Sequence, residues 1–109
     1  MKTCTNHICH EGANPGVSIE TEIYYDKGGL NIAGEYDVRG YYLAVRPVTV
    51  KDNGQTIISV YSGFRQLIFS ANRYSDKLFD NAVAQGQELI PALVERVLRK
   101  QRLEYKEVS

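Results

Sequence analysis

Four side chains of metal-ligand type crowd the N-terminus. Cys4, His7, Cys9 and His10 read C-x-x-H-x-C-H, and each could offer sulfur or imidazole nitrogen to zinc. A zinc finger separates two ligand pairs by a folded segment, and this run does not. The expectation is therefore a tail that holds no resident metal. A Cys4/His7 nucleophile pair is disfavoured further, because a reactive thiolate needs a fixed, electropositive setting that a tail does not supply. Glu20 and Glu22 stand at i, i+2, where two acids could shuttle a proton or hold a divalent cation. That spacing also describes the wet face of a strand. No G-x-S-x-G, P-loop or dinucleotide fingerprint is present. The chain thus reads as non-enzymatic, with no cofactor.

Eight tyrosines and no tryptophan stand among 109 residues. Tyr24, Tyr25, Tyr36, Tyr41, Tyr42 and Tyr61 lie on or beside strand-like runs, with Arg39, Arg46 and Arg65 near them. On an exposed sheet, tyrosine and arginine make either a protein interface or a stacking platform for single-stranded nucleic acid. Arg39, Tyr41, Tyr42 and Arg46 are the candidate partner-binding residues. Arg96, Arg99 and Lys100, within a basic run on the helical part, form a second candidate patch.

These residues need elements to position them. Ser18 to Tyr25 alternates apolar and polar residues, the pattern of a half-buried strand. Asp26-Lys27-Gly28-Gly29 breaks it. The segment 30–39 reads as a short strand or a loop. Gly40 opens a second strand to Val50, in which Pro47 predicts a sheet edge or a bulge. Asn53-Gly54 predicts a hairpin turn into a return strand, Thr56 to Tyr61. Phe64 to Tyr74 reads as a strand with Leu67, Phe69 and Ala71 on one side, or as a short helix that buries Leu67-Ile68. Ser75 is an N-cap, and Leu78, Phe79, Ala82 and Val83 recur at helical spacing. Leu89, Ile90, Leu93, Val94, Val97 and Leu98 continue an apolar stripe. The fold class is α+β: an antiparallel sheet of four to five strands followed by a C-terminal helix, kinked or split near Gly86–Pro91. Residues 1–17 are expected as a flexible tail, 18–104 as one domain and 105–109 as a frayed end. A stripe wider than one sheet covers would be buried in a homodimer.

Thirteen basic and thirteen acidic residues give a net charge of +0. That excludes an unstructured polycation that coats nucleic acid. The balance is uneven along the chain: residues 1–37 sum to −4 and residues 38–109 to +4. One reading is ordinary solvated charge; the other is that one face meets an anionic partner or that the two parts meet in a self-association. No run approaches the roughly 18 apolar residues of a membrane span, and the N-terminus lacks a signal-peptide core. With two cysteines only, the expected compartment is the cytoplasm.

Several runs carry a resemblance: Tyr25-Asp26-Lys27-Gly28-Gly29, Arg39-Gly40-Tyr41-Tyr42-Leu43 with Val45 and Pro47-Val48, Ser62-Gly63, and Arg73-x-Ser75-x-Lys77. Together they resemble small proteins of plasmids and conjugative elements of Firmicutes. Some proteins of such elements are anti-CRISPR inhibitors of type II effector nucleases. The resemblance implies a protein or ribonucleoprotein partner, and an inhibitor of such a nuclease as the leading function. The order of strands then helix is also similar to the Whirly-like, transcriptional-cofactor type of single-strand binder. That similarity implies, as the alternative, a dimer binding single-stranded nucleic acid along its sheet.

Overall fold

Two long strands organise the molecule. β2 (Val17–Asp26) and β5 (Gly40–Val50) pair antiparallel along almost their whole length, from Val17↔Thr49 to Asp26↔Gly40. Their alternation sends Ile19, Ile23, Tyr25, Tyr41, Leu43 and Val45 to one face, where all are buried. The computed structural model describes residues 1–8, 17–50, 56–58 and 63–108. It shows the expected α+β class, with seven strands and one helix in the order β1 (Cys4–Ile8), β2, β3 (Gly29–Leu30), β4 (Tyr36–Asp37), β5, β6 (Thr56–Ile58), β7 (Phe64–Ser70) and α1 (Asp76–Val108).

The main sheet runs β1-β2-β5, and its fourth position is shared by β6 and β7. β7 covers β5 from Gly40 to Val45, and β6 covers it from Val48 to Val50. Pro47 falls in the interval between them. The Arg39 carbonyl accepts from Ala71 N–H on the β7 side, so strand parity points odd residues of β5 that way. The residues that would lie opposite Pro47 after β6 are outside the described residues. β5 is central rather than an edge, paired with β2 on one side and with β6 and β7 on the other.

The N-terminal segment also departs from expectation. Cys4–Ile8 is a strand on the open edge of β2, in register from Cys4↔Ile23 to Ile8↔Ile19. Its own sequence has no alternation, so the template is β2. Residues 9–16 lie outside the described residues, as does the expected Asn53-Gly54 turn; the flanking strands pair antiparallel, Val50 with Thr56. β7 carries a bulge opposite Tyr41/Tyr42. The extra residue turns Ile68 and Phe69 toward the core and leaves Leu67 opposite Tyr42. Leu67 and Phe69 are thus not on one side.

The helix is continuous rather than split. It runs unbroken to Val108, with Pro91 inside it. Pro91 and Gln87 are both exposed, so the carbonyl that loses its partner faces water. Phe79, Ala82, Leu93, Val94, Val97 and Leu98 are buried against the sheet, and Leu89 and Ile90 pack beside them. At Gly86 helix and sheet approach closely: a Cβ there would lie 2.8 Å from Ile23 Cδ1 and 3.1 Å from Ile68 Cδ1. Among the described residues no helix is long and apolar enough to cross a membrane.

Candidate interaction surface

The helix covers one face of the sheet. Across the other face, β2 presents Glu20, Glu22, Tyr24 and Asp26, β5 presents Tyr42, Ala44 and Arg46, and β7 presents Arg65. Arg46 Nε donates to Glu20 at 2.9 Å, and its Nη2 lies 3.3 Å from Glu22. Arg65 meets Asp26 at 2.8 Å and Asp37 at 3.1 Å, and donates to the Tyr24 hydroxyl at 3.2 Å. Its guanidinium lies 3.9 Å above the Tyr42 ring, which stacks with Tyr24. Burial disfavours both guanidinium charges. Hydrogen bonds to Glu20 for Arg46, and to Tyr24 and Asp26 for Arg65, more than offset it, so both are held above the ordinary arginine value. The acids come from residues 1–37 and the arginines from later in the chain. The two charged parts therefore meet across the sheet, and four of the six early carboxylates are engaged there.

This arrangement separates the candidate residues. Tyr41 and Tyr42 are neighbours on a strand, so they face opposite ways. Tyr41 is 0% exposed in the core, and Tyr42 is 6% exposed beneath Arg65. Neither offers a surface to a partner. Arg46 is half-buried against its two glutamates. Arg39 is exposed, and donates to the carbonyls of Lys27 at 2.9 Å and Asn72 at 3.3 Å. The second patch does come together: Arg96 lies 4.1 Å and Lys100 5.3 Å from the Phe64 ring, with Arg99 exposed one helical step away. Tyr24 and Tyr25 are half-buried and buried, and Tyr61 lies outside the described residues.

The exposed apolar residues gather in a segment the sequence left undecided. β3 and β4 form a two-stranded finger between Lys27 and Arg39. Leu30 is 65% exposed, Tyr36 81%, Val38 53%, and Ile32, at the tip, is fully exposed. Single exposed apolar residues are ordinary; four large ones within nine positions are not. Period-two spacing at 30 and 32, and at 36 and 38, was the available signal.

The finger is built to hold its shape. At the tip the Asn31 side chain accepts from Glu35 N–H at 3.0 Å and donates to Asp37 at 3.2 Å. Backbone bonds run from Asn31 N–H to the Glu35 carbonyl at 2.8 Å and from Gly34 N–H to the Asn31 carbonyl at 3.0 Å. At the base, Gly28 has φ 71° and sits so tightly that a Cβ would meet the Asp37 carbonyl at 2.8 Å. Arg39 staples the base from one side. Arg65 holds Asp37, and the Tyr42 hydroxyl donates to the Val38 carbonyl, from the other. The charged lattice and Tyr42 thus position the finger.

Cys4 and His7 are three apart on β1. Cys9 and His10 lie outside the described residues. Among the described residues no group of three or more His, Cys, Asp or Glu is placed to hold a metal. No family model, curated protein or solved structure matches the chain.

Proposed function

We propose that this chain is a non-enzymatic protein-binding module of the cytoplasm, and that the finger at residues 28–38 is what its partner grips. One observation carries the reading: Leu30, Ile32, Tyr36 and Val38 are exposed on a turn already fixed by hydrogen bonds. A segment ordered before binding spares the partner complex the entropy of ordering it. Exposed tyrosine beside aliphatic residues suits the apolar centre of an interface. Glu20 and Glu22, the acids that could have done proton chemistry, are both engaged by Arg46. The single-strand platform has less support, because among the described sheet tyrosines only Tyr36 is freely exposed. The resemblance to mobile-element proteins makes a type II CRISPR effector nuclease the first partner to assay.

The test is a pull-down and cleavage-inhibition assay against a panel of type II effectors, with the native chain beside Ile32→Asp and Tyr36→Ser. Binding and inhibition by the native chain, lost in both variants, is the expected result. Binding that survives both substitutions would exclude the finger, and no binding in any subtype would exclude the effector. Light scattering of the same proteins tests a second copy as the partner: a dimer that Ile32→Asp dissolves would replace the effector reading.

A further inference from the structure

Beside the base of the finger lies a hollow of about 290 Å³. Lys27, Arg39, Arg73, Tyr25, Tyr74 and Asn72 line it, together with Met1. Three of these are cations and none is an acid. The contrast with the outer sheet face is sharp. There, each arginine faces two carboxylates. Here, no carboxylate is ion-paired with Lys27, Arg39 or Arg73 among the described residues. Three basic residues thus border one hollow, and none has a carboxylate partner among the described residues.

Arg39 is also preorganised. Its Nε and Nη1 donate to the carbonyls of Lys27 and Asn72, which fixes the guanidinium plane and leaves the Nη2 donors uncommitted. The neighbouring polar groups are already satisfied. The Tyr25 hydroxyl donates to the Ala71 carbonyl at 3.0 Å. The Tyr74 hydroxyl accepts from Lys2 N–H at 3.0 Å and donates to Asp76 at 2.7 Å. Asp76 is thus the acid closest in bonding terms, and it is tied to the outer end of Tyr74.

We propose that this hollow is a phosphate-binding site formed by Lys27, Arg39 and Arg73. A phosphate group is an anion with several oxygens, so it can take two parallel bonds from a held guanidinium and still present oxygen to the other two cations, which the two oxygens of a carboxylate cannot do as readily. A water takes about 30 Å³ in the liquid, so the hollow has room for a phosphate group and part of what bears it. Free phosphate or a phosphomonoester supplies this chemistry, and so does the backbone of single-stranded nucleic acid. The proposal stands apart from the finger and does not need it.

The experiment is an NMR titration of the full chain with sodium phosphate, an oligothymidylate and sodium acetate at matched ionic strength. Phosphate is expected to shift the amides of Lys27, Arg39 and Arg73 saturably. Lys27→Gln/Arg73→Gln, which alters two exposed side chains, should weaken that binding by at least about tenfold. Tighter oligothymidylate binding at the same amides, weakened by the same variant, also supports the site and names nucleic acid as the source. Acetate binding as strong as phosphate, no saturable shift with either phosphate probe, or shifts unchanged in the variant would each overturn the proposal.

Discussion

The Tyr41 hydroxyl and the Ser75 backbone hold each other: the hydroxyl accepts from Ser75 N–H at 3.0 Å and donates to the Ser75 carbonyl at 3.1 Å. Ser75 also caps α1, its Oγ accepting from Leu78 N–H at 3.1 Å. A buried residue at the centre of the sheet thus fixes where the helix begins. Tyr41→Phe keeps the ring and removes both bonds. It is expected to cost about 1–2 kcal/mol, read as a lower urea midpoint at unchanged slope.

Gly86 sets the distance between helix and sheet. Alanine there gains up to about 1 kcal/mol of helix propensity. Its methyl would press on Ile23 and Ile68, and such overpacking typically costs 1–3 kcal/mol. Gly86→Ala should therefore destabilise the chain. In an Ile23→Val background, which removes the Cδ1 at 2.8 Å, the same substitution should cost less or stabilise. Equal effects in the two backgrounds, measured by denaturation, would refute this packing account.

The tip of the finger depends on one side chain. Asn31→Ala removes the bonds to Glu35 N–H and Asp37. Residues 30–38 are largely exposed, so the global midpoint should move by less than about 1 kcal/mol. Amide exchange at Glu35 should accelerate well beyond that shift, since its N–H loses its acceptor. An unchanged exchange rate at Glu35 would show that the turn holds without Asn31.

Much of this arrangement was legible and some was not, for physical reasons. β2 and β5 announced themselves because each has a wet face and a dry face. Ser75 and the stripe to Leu98 marked the helix in the same way. β1 was not legible, because its order is borrowed from β2 through backbone bonds that its side chains do not advertise. The bulge in β7 was hidden because one inserted residue changes parity without changing composition. Tyr41 and Tyr42 share a residue type, but strand parity requires that they face opposite ways, so only one of them could lie on any one surface. The finger was passed over because Leu30, Ile32, Tyr36 and Val38 face no core, and apolar residues without a core leave the segment undecided.

Arg65 ties the finger to the sheet. It joins Asp37 of β4 to Asp26 and Tyr24 of β2 while lying on Tyr42 of β5. Arg65→Met preserves much of the stem over the ring and removes the charge. Because the group is about a third exposed, solvent screening limits the expected loss to about 1 kcal/mol. Amide exchange across 28–38 should rise together, unlike the local effect of Asn31→Ala. If only the global midpoint moved, Arg65 would be supporting the sheet and not the finger.

Alkaline pH separates the role of Tyr42. Burial raises its phenol above 10.0; Arg65 pulls it back, and Asp37 and Asp26 push it up again. An unfolded tyrosine titrates near 10, so the unfolded chain loses this proton first. The resulting stability is fully present below about pH 10 and is lost as pH climbs through the higher folded value. Tyr42→Phe removes that contribution, along with the hydrogen bond to the Val38 carbonyl. The bond loss is a constant offset of about 1 kcal/mol below pH 10. Above it, the native chain should lose stability faster, and the two curves of urea midpoint against pH should converge. Tyr74, raised first of all by burial, is present in both chains and cancels. Parallel curves across the alkaline range would mean that the Tyr42 phenol titrates alike in the folded and unfolded chains.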